Sequence, residues 1–255
     1  MIQLKRLTMM LALLLTAAQG ARADDDMKST PLTMEVTEAG TVQVTISNYG
    51  NFGGMKYSTD GGLTKTLTIK GGTAGTGQLW ANGGGGAAGI GGGKEIDCGN
   101  IIIEGGKITA NGTSNGGASI GAGRAASCGN ITITGGEIYA SECNYTAGIG
   151  SGYDHSTCGK IIISGGTVYA TGGEYAAAIG SGYDVSKCGD ILITTGVTKV
   201  IVSKPFDNTV YSIGPGNNST CGTVWIDCTL DTDGNPVGGS KGFKTDSSFI
   251  YQPSN

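Results

Sequence analysis

Charged and aromatic side chains are scarce in this sequence, and so is proline. Only 14% of the residues are charged, and the single arginine beyond residue 22 is Arg124. A face that binds phosphate backbones needs clustered Lys and Arg, so the composition speaks against nucleic acid as a partner. With 5 prolines and no strict three-residue glycine period, a collagen-like chain is excluded as well.

The sequence is rich in glycine, which supplies 49 of its 255 residues. Glycine weakens helix interiors by about 1 kcal/mol relative to alanine, so this content argues against a helical protein. Isoleucine and valine recur in short blocks, which disordered chains lack. The composition therefore predicts an ordered β protein with many tight corners.

The N-terminus, residues 1–23, has the layout of a secretory signal peptide. Lys5 and Arg6 precede an apolar run from residue 7 to residue 18, and small residues end at Ala23. The run is too short to span a membrane permanently. We expect cleavage after Ala23 and an exported chain in the periplasm, at the cell surface or in the medium, with no membrane span. An uncleaved N-terminal anchor is the alternative.

A repeat of about 30 residues runs through the middle of the chain. Residues 128–157 read CGNITITGGEIYASECNYTAGIGSGYDHST, and residues 158–187 read CGKIIISGGTVYATGGEYAAAIGSGYDVSK. Each unit holds three short segments, CGxIxI, GGxIxA and xxIGxG, separated by glycine-rich corners. The fourth unit departs at the second segment, where it reads TTGVTKVIV. The units begin at Cys98, Cys128, Cys158, Cys188 and Cys221.

The three segments of each unit predict three short strands, because apolar and polar residues alternate in them. Since the same positions recur in every unit, equivalent residues should stack about 4.8 Å apart on successive coils. The predicted fold is all-β, a parallel β-helix of about five coils. A sandwich or propeller is the alternative, but hairpin signals are missing between residues 98 and 226. One predicted interior column is Ile101, Ile131, Ile161, Ile191 and Val224.

The pattern CGxIxIxGGxVxAxGGxxAAxIGSG resembles the right-handed parallel β-helix repeats of many exported bacterial surface proteins, with a pectate-lyase-like architecture. The resemblance covers residues 80–226. Similar folds serve as polysaccharide lyases, polysaccharide-binding modules and adhesins, so it is specific for architecture and not for activity. The flanking segments are predicted to be a small β-module or cap at residues 24–79 and a C-terminal cap or tail at residues 227–255.

Five of the seven cysteines occupy one position of the repeat, at Cys98, Cys128, Cys158, Cys188 and Cys221. Stacking would bring their Cα atoms within the range that a disulfide tolerates. Cysteine also packs as a small buried hydrophobic residue. The predicted role is a structural column of buried free thiols, with bridges between coils as the alternative. Zinc is disfavoured because no C-x2-C pair occurs.

Two carboxylates, Asp154 and Asp184, fall at matching positions of GSGYD and should be neighbours on adjacent coils. Such a pair could hold Ca²⁺, which prefers carboxylate and carbonyl oxygens, or could be two solvated corner residues. Lyases of similar fold place a basic residue beside a calcium-binding acidic cluster, and Arg124 lies one coil before Asp154. His155, the single histidine, is interpreted as a tolerant corner residue. No catalytic residue is assigned, and no cofactor beyond Ca²⁺ is considered.

Two columns of tyrosines should face outward. Tyr139 and Tyr169 alternate with inward residues on the second strand, and Tyr153 and Tyr183 stack at the corner. Aromatic ladders on a rigid surface suit sugar rings, so these four are the predicted ligand-binding residues. Ordinary stabilisation between strands, about 0.2–1 kcal/mol per pair, is the alternative. A third outward column is apolar, and we expect another segment of the chain to cover it: Ile102, Thr132, Ile162, Leu192 and Trp225.

The predicted function is a non-catalytic, exported bacterial protein. It would bind polysaccharide or a surface partner, as an adhesin does, through the flat faces of its β-helix, because the coils are regular and lack the long loops that β-helix enzymes insert. Two alternatives remain, a polysaccharide lyase or glycosidase of β-helix type, and a passive structural or antigenic surface spacer.

Overall fold

The structure, a computed structural model, describes residues 33–36, 41–45, 66–71, 78–113, 116–141, 144–203, 210–245 and 247–254. The predicted signal peptide and most of residues 24–79 lie outside these ranges. Within them the chain is all-β and winds as a right-handed parallel β-helix of about five coils. The predicted fold class is therefore confirmed.

The first sheet collects the CGxIxI segments. All its strands are parallel except the last two, which run antiparallel to their neighbour. Its strands are Thr33–Val36, Thr66–Gly71, Asn100–Ile103, Ile131–Ile133, Ile161–Ile163, Ile191–Thr194, Val224–Leu230, Pro236–Val237 and Ser240–Lys241.

The second sheet collects the GGxIxA segments, and its strands are parallel except the last. Its strands are Thr41–Thr45, Gln78–Asn82, Lys107–Asn111, Glu137–Ser141, Thr167–Thr171, Lys199–Ser203 and Phe249–Tyr251. The fourth unit, whose sequence departs here, keeps the register, since Val200 pairs with Val168 and Val202 with Ala170.

Two narrow sheets of two-residue strands form the corners of the coil. The third sheet contains the IG dipeptides, Ile90–Gly91, Ile120–Gly121, Ile149–Gly150, Ile179–Gly180 and Ile213–Gly214. The fourth sheet contains the strands that end in cysteine, Ser127–Cys128, Thr157–Cys158, Lys187–Cys188 and Thr220–Cys221. Both sheets are parallel, and each residue lies beside its repeat equivalent.

Columns of identical aliphatic residues fill the interior, as the repeat predicts. Ile131 lies between Ile101 and Ile161, and the same register continues to Ile191 and Val224. All of these side chains are buried. One coil cannot enclose its apolar face, whereas a stack can.

Buried serines satisfy the backbone of the glycine-rich corners. The carbonyl oxygens of Gly123 and Ala126 share the hydroxyl proton of Ser156 at 3.0 and 3.1 Å, and Ser156 Oγ accepts the N–H of Gly152. One coil later, Ser186 Oγ donates to the carbonyl of Gly152, and Ser151 Oγ accepts the N–H of Gly182. A buried unpaired backbone group would cost about 1–3 kcal/mol, so these serines allow the corners to lie inside the stack.

The C-terminal tail crosses the last coil and pairs with it antiparallel. Trp225 pairs with Lys241 in the first sheet, and Ile201 pairs with Ile250 in the second. Phe243 packs against Phe249 and the end of the core. Unpaired edges invite association with other strands, and the tail covers these edges, as a cap does.

The N-terminal strands extend the same two wide sheets. Strand Thr33–Val36 pairs in parallel with Thr66–Gly71, and Thr41–Thr45 pairs with Gln78–Asn82. The parallel stack therefore begins before residue 80. Most of residues 24–79 lie outside the described ranges, so the division of this segment into a module or a cap stays a prediction.

Candidate functional site

Tyr139 and Tyr169, here called the strand pair, lie directly opposite each other on the second sheet. Their ring centroids are 4.6 Å apart and the planes differ by 1°. The Lys107 ammonium lies 5.4 Å from the Tyr139 ring centroid. The rings therefore cover each other's faces, and the pair stabilises the contact between two coils. Its predicted role in ligand binding stays a prediction.

The hydroxyl of Tyr139 is also committed within the protein. It donates a hydrogen bond to Glu137, whose other carboxylate oxygen is 3.5 Å from Lys107 Nζ. The bond to Glu137 raises the pKa of Tyr139 to about 12, since the carboxylate stabilises the protonated phenol.

Four tyrosines meet at the corners of two adjacent coils, and we call them the corner cluster: Tyr145, Tyr153, Tyr175 and Tyr183. Tyr153 stacks on Tyr183 at 5.8 Å, and Tyr145 stacks on Tyr175 at 5.8 Å. Rings of different columns are 5.5 to 5.8 Å apart and tilted by 37 to 42°. All four side chains are half-buried. Within the described ranges, the hydroxyls of Tyr145, Tyr153 and Tyr183 have no hydrogen-bond partner.

Backbone hydrogen bonds hold the two tyrosine columns of the corner cluster beside each other. The N–H of Tyr183 donates to the carbonyl of Tyr145 at 3.0 Å, and the N–H of Asn217 donates to the carbonyl of Tyr175 at 2.9 Å. One coil earlier, Tyr153 makes the same bond to Gly116. A Cβ on Gly116 would crowd the Cβ of Arg124, so this glycine leaves space for the arginine at the end of the cluster.

The corners that carry Tyr153 and Tyr183 have an unusual backbone. The corner from Gly150 to Cys158 holds one residue more than the corner from Gly121 to Cys128. Two consecutive residues are left-handed in each long corner, with φ of 65° and 58° at Asp154 and His155. Val185 has φ of 57°, which is an outlier for a β-branched residue. Such strain clusters at functional sites.

The two carboxylates of the predicted acidic pair, Asp154 and Asp184, have different hydrogen-bond partners. Asp154 Oδ2 accepts hydrogen bonds from Nε and Nη2 of Arg124 at 3.2 and 3.1 Å, and Oδ1 lies 3.0 Å from Nδ1 of His155. The bond to His155 and the Arg124 guanidinium lower the pKa of Asp154. Asp184 instead accepts a 3.5 Å bond from the amide of Asn218.

The predicted calcium site thus has one carboxylate already bound to a cation. In the part of the chain that the structure describes, no three histidine, cysteine, aspartate or glutamate side chains converge in a way that could hold a metal ion. Binding of Ca²⁺ between Asp154 and Asp184 stays a prediction. The guanidinium of Arg124 also lies 5.2 Å from the Tyr153 ring centroid, so the ion pair borders the corner cluster.

The cysteine column faces inward, and all its members except Cys98 lie on the fourth sheet. Cys128, Cys158 and Cys188 stack in register and are buried, while Cys98 and Cys221 at the two ends are partly exposed. All the described cysteines are free thiols, and Cys143 lies outside the described ranges. Hydrogen bonding with Cys158 and burial raise the pKa of Cys128. Protonated, buried thiols fit a packing role.

The outward apolar column of the first sheet is only partly open to solvent. Leu192 is fully buried, and Ile162 and Trp225 beside it are half-buried. The Lys241 ammonium of the C-terminal tail lies 5.3 Å from the Trp225 ring centroid. The tail thus reaches the end of this column, as expected of a covering segment.

Sequence reasoning finds Tyr153 and Tyr183 but misses Tyr145 and Tyr175. The signal was present, because Tyr145 in NYTAGIG and Tyr175 in EYAAAIG are 30 residues apart, as the cysteines are. Their position next to the other two tyrosines depends on the path of the corner between them, which the period alone does not specify.

Comparison with known proteins agrees with the architecture. Residues 101–124, 131–153 and 161–183 match a family model described as beta helix repeat. No curated protein and no solved structure matches the chain. No helix among the described residues has the length and apolarity needed to cross a membrane. Three matched coils and the observed winding together make this chain a parallel β-helix repeat protein.

Proposed function

We propose that this chain is an exported, non-catalytic protein that binds a polysaccharide on the corner cluster of its β-helix. The observation that carries the proposal is the array of four half-buried tyrosines, three of whose hydroxyls have no partner among the described residues. Tyrosine is favoured at binding surfaces because it joins an apolar ring to a polar tip.

The spacing of the cluster suits an extended polymer more than a small ligand. Equivalent rings of the two coils are 5.8 Å apart along the β-helix axis, so a chain lying along the axis would meet the same groups on both coils. Backbone hydrogen bonds between the coils hold this spacing, and a preorganised surface loses little entropy on binding.

The electrostatics of the corner favour binding over hydrolysis. A glycosidase acid needs a raised pKa, whereas the pKa of Asp154 is lowered by His155 and Arg124. The ion pair of Asp154 with Arg124 also engages the basic residue that a lyase would need.

The test is a polysaccharide array with the purified protein and two matched double variants. Tyr153→Phe with Tyr183→Phe removes two cluster hydroxyls and keeps both rings. Loss of two hydrogen bonds at about 0.5–1.5 kcal/mol each should weaken retention on the bound polysaccharide about tenfold. The control, Tyr139→Phe with Tyr169→Phe, should change it less than about twofold, since the Tyr139 hydroxyl is bonded to Glu137.

The control also decides the predicted role of the strand pair. A tenfold loss in the control variant, with full retention in the cluster variant, would move the site to Tyr139 and Tyr169. Absence of binding to every polysaccharide, with and without Ca²⁺, would overturn the proposal and leave a surface protein partner or the surface-spacer alternative. Dependence of retention on Ca²⁺ would support the predicted site at Asp154 and Asp184.

A further inference from the structure

We infer that the polysaccharide bound at the corner cluster is uncharged, an inference that rests on the proposed function. It comes from the charges that border the four rings. The charged side chains that contact a cluster ring, or adjoin a cluster tyrosine in the chain, are Arg124, Asp154, Glu174 and Asp184. His155 lies beside Asp154.

The single guanidinium at the cluster already has its charge paired with a carboxylate of the protein. Recognition of a carboxylate by arginine uses two parallel N–H donors. In Arg124, both Nε and Nη2 donate to Asp154 Oδ2. A uronate would have to displace this carboxylate, which is held in place by the corner backbone and by His155, or use the remaining Nη1 and Nη2 hydrogens of a guanidinium whose charge is already neutralised.

The other end of the cluster carries negative charge without a cationic partner. Glu174 precedes Tyr175 and is exposed, and Asp184 follows Tyr183. Within the described part of the chain, neither carboxylate forms a salt bridge, and the one side-chain partner of Asp184 is the neutral amide of Asn218. Each is the chain neighbour of a cluster tyrosine, so its Cα atom lies about 3.8 Å from that of the tyrosine.

A carboxylated polymer would therefore meet repulsion at one end of the cluster and an occupied arginine at the other. The formal net charge of −4 adds a weaker repulsion of the same sign. A neutral polymer meets neither barrier and can still exchange hydrogen bonds with the tyrosine hydroxyls. The geometry thus selects against uronate-rich chains through charge and not through shape.

The experiment compares neutral and carboxylated forms of the same polymer, such as methyl-esterified and free polygalacturonate, or cellulose ethers with and without carboxymethyl groups. At low salt, the wild-type protein should bind the neutral member of a recognised pair at least about tenfold more tightly. The gap should narrow as salt rises, because exposed charges are screened.

A gain-of-function variant sharpens the test. Asp154→Asn releases Arg124 from its counter-charge, and asparagine tolerates the left-handed φ of this position. The freed guanidinium should raise affinity for the carboxylated member about tenfold, the value of one charge-assisted hydrogen bond. Asp184→Asn is the control, since it removes the same charge at the equivalent corner position and releases no cation, so its gain should be smaller.

Three results bear against the inference. Tighter binding of the carboxylated member by the wild type would overturn it while leaving the proposed function intact. Equal gains from Asp154→Asn and Asp184→Asn would show that the Arg124 ion pair does not control selection. No binding to either member of any pair would overturn the proposed function, and the inference with it.

Discussion

Two groups of stacked tyrosines in this β-helix differ in what their rings and hydroxyls contact. In the strand pair, the rings are parallel at 4.6 Å and the Tyr139 hydroxyl donates to Glu137. In the corner cluster, the rings are 5.5 to 5.8 Å apart and two columns are tilted against each other. Three cluster hydroxyls have no partner among the residues that the structure describes.

This difference shows that a ladder of like residues is not by itself a binding surface. Stacking places identical side chains in contact wherever the repeat is regular, and the contact then uses the ring faces inside the protein. A surface can bind when its polar groups remain unsatisfied after folding, because only those groups gain hydrogen bonds from a ligand. Three hydroxyls of the corner cluster meet this condition among the described residues, whereas the Tyr139 hydroxyl of the strand pair does not.

The largest expected effect comes from the glycine that lies between Tyr145 and Tyr153. Gly150 has φ of 142°, and a Cβ there would overlap the carbonyl oxygen of Gly180 on the next coil. Because backbone cannot move away without breaking the third sheet, Gly150→Ala should lower the free energy of unfolding by about 3–5 kcal/mol. Urea unfolding would measure this loss, and binding through the corner cluster should fall with it.

Gly234→Ala is a matched control that separates the cost of atomic overlap from the cost of a left-handed backbone. Gly234 also has a positive φ, 77°, but a Cβ there would meet nothing within 4 Å. Gly234→Ala should cost only the left-handed penalty of about 1–2 kcal/mol. If Gly150→Ala lowers the free energy of unfolding by no more than this control does, the close approach of the coils is not the reason that the corner requires glycine.

The pairwise interaction energy between stacked tyrosine rings should be larger in the strand pair than in the corner cluster. Double-mutant cycles with alanine isolate the pairwise energy. Tyr139 and Tyr169, parallel at 4.6 Å, should couple by about 1 kcal/mol. Tyr153 and Tyr183, at 5.8 Å, should couple by less, since dispersion falls steeply with distance. Equal coupling energies in urea unfolding would remove the structural distinction between strand pair and corner cluster.

The sequence predicts the fold well because a stack must repeat itself. Ile131 has to match Ile101 and Ile161, so the period reveals the columns directly. The fourth unit was harder, because TTGVTKVIV lacks the motif, yet Val200 and Val202 keep the alternation that buries them. The antiparallel direction of the C-terminal tail could not be predicted, since its few apolar residues contact the end of the core only after the last coil has formed.

The candidate site was predictable only in part. The repeat places Tyr153 above Tyr183, but it does not show that the corner brings Tyr145 alongside. Nor does it show that Arg124 is bound to Asp154, one of the two predicted calcium ligands. These relations depend on left-handed corner residues and side-chain directions, which spacing does not specify.

The pH dependence of the strand pair offers a test at the level of one hydroxyl. Glu137 raises the pKa of Tyr139 to about 12 in the folded protein, above the ordinary value of about 10. The folded state therefore holds this proton more tightly, so the stability from the bond is present below about pH 10 and is lost as the pH rises toward about 12.

Phenolate absorbance measured against Tyr139→Phe would report this titration. Glu137→Gln should return the pKa of Tyr139 toward its ordinary value, because the amide carries no negative charge. A titration of Tyr139 near pH 10 in the wild-type protein would show that its hydroxyl is free, and the contrast with the corner cluster would lose its chemical basis.

The smallest effect is expected at the corner residue after Asp184. Val185 is 43% exposed and has φ of 57°, a conformation that asparagine adopts with much less strain than a β-branched residue. Val185→Asn should therefore stabilise the protein by about 0.5–1 kcal/mol, a rise in Tm of about 1–4 °C. His155→Asn, at the equivalent position, should stabilise the protein by less, because histidine tolerates this conformation better than valine. If Val185→Asn stabilises the fold but weakens polysaccharide binding, the strained corner contributes to the site; unchanged binding would limit the site to the four tyrosines.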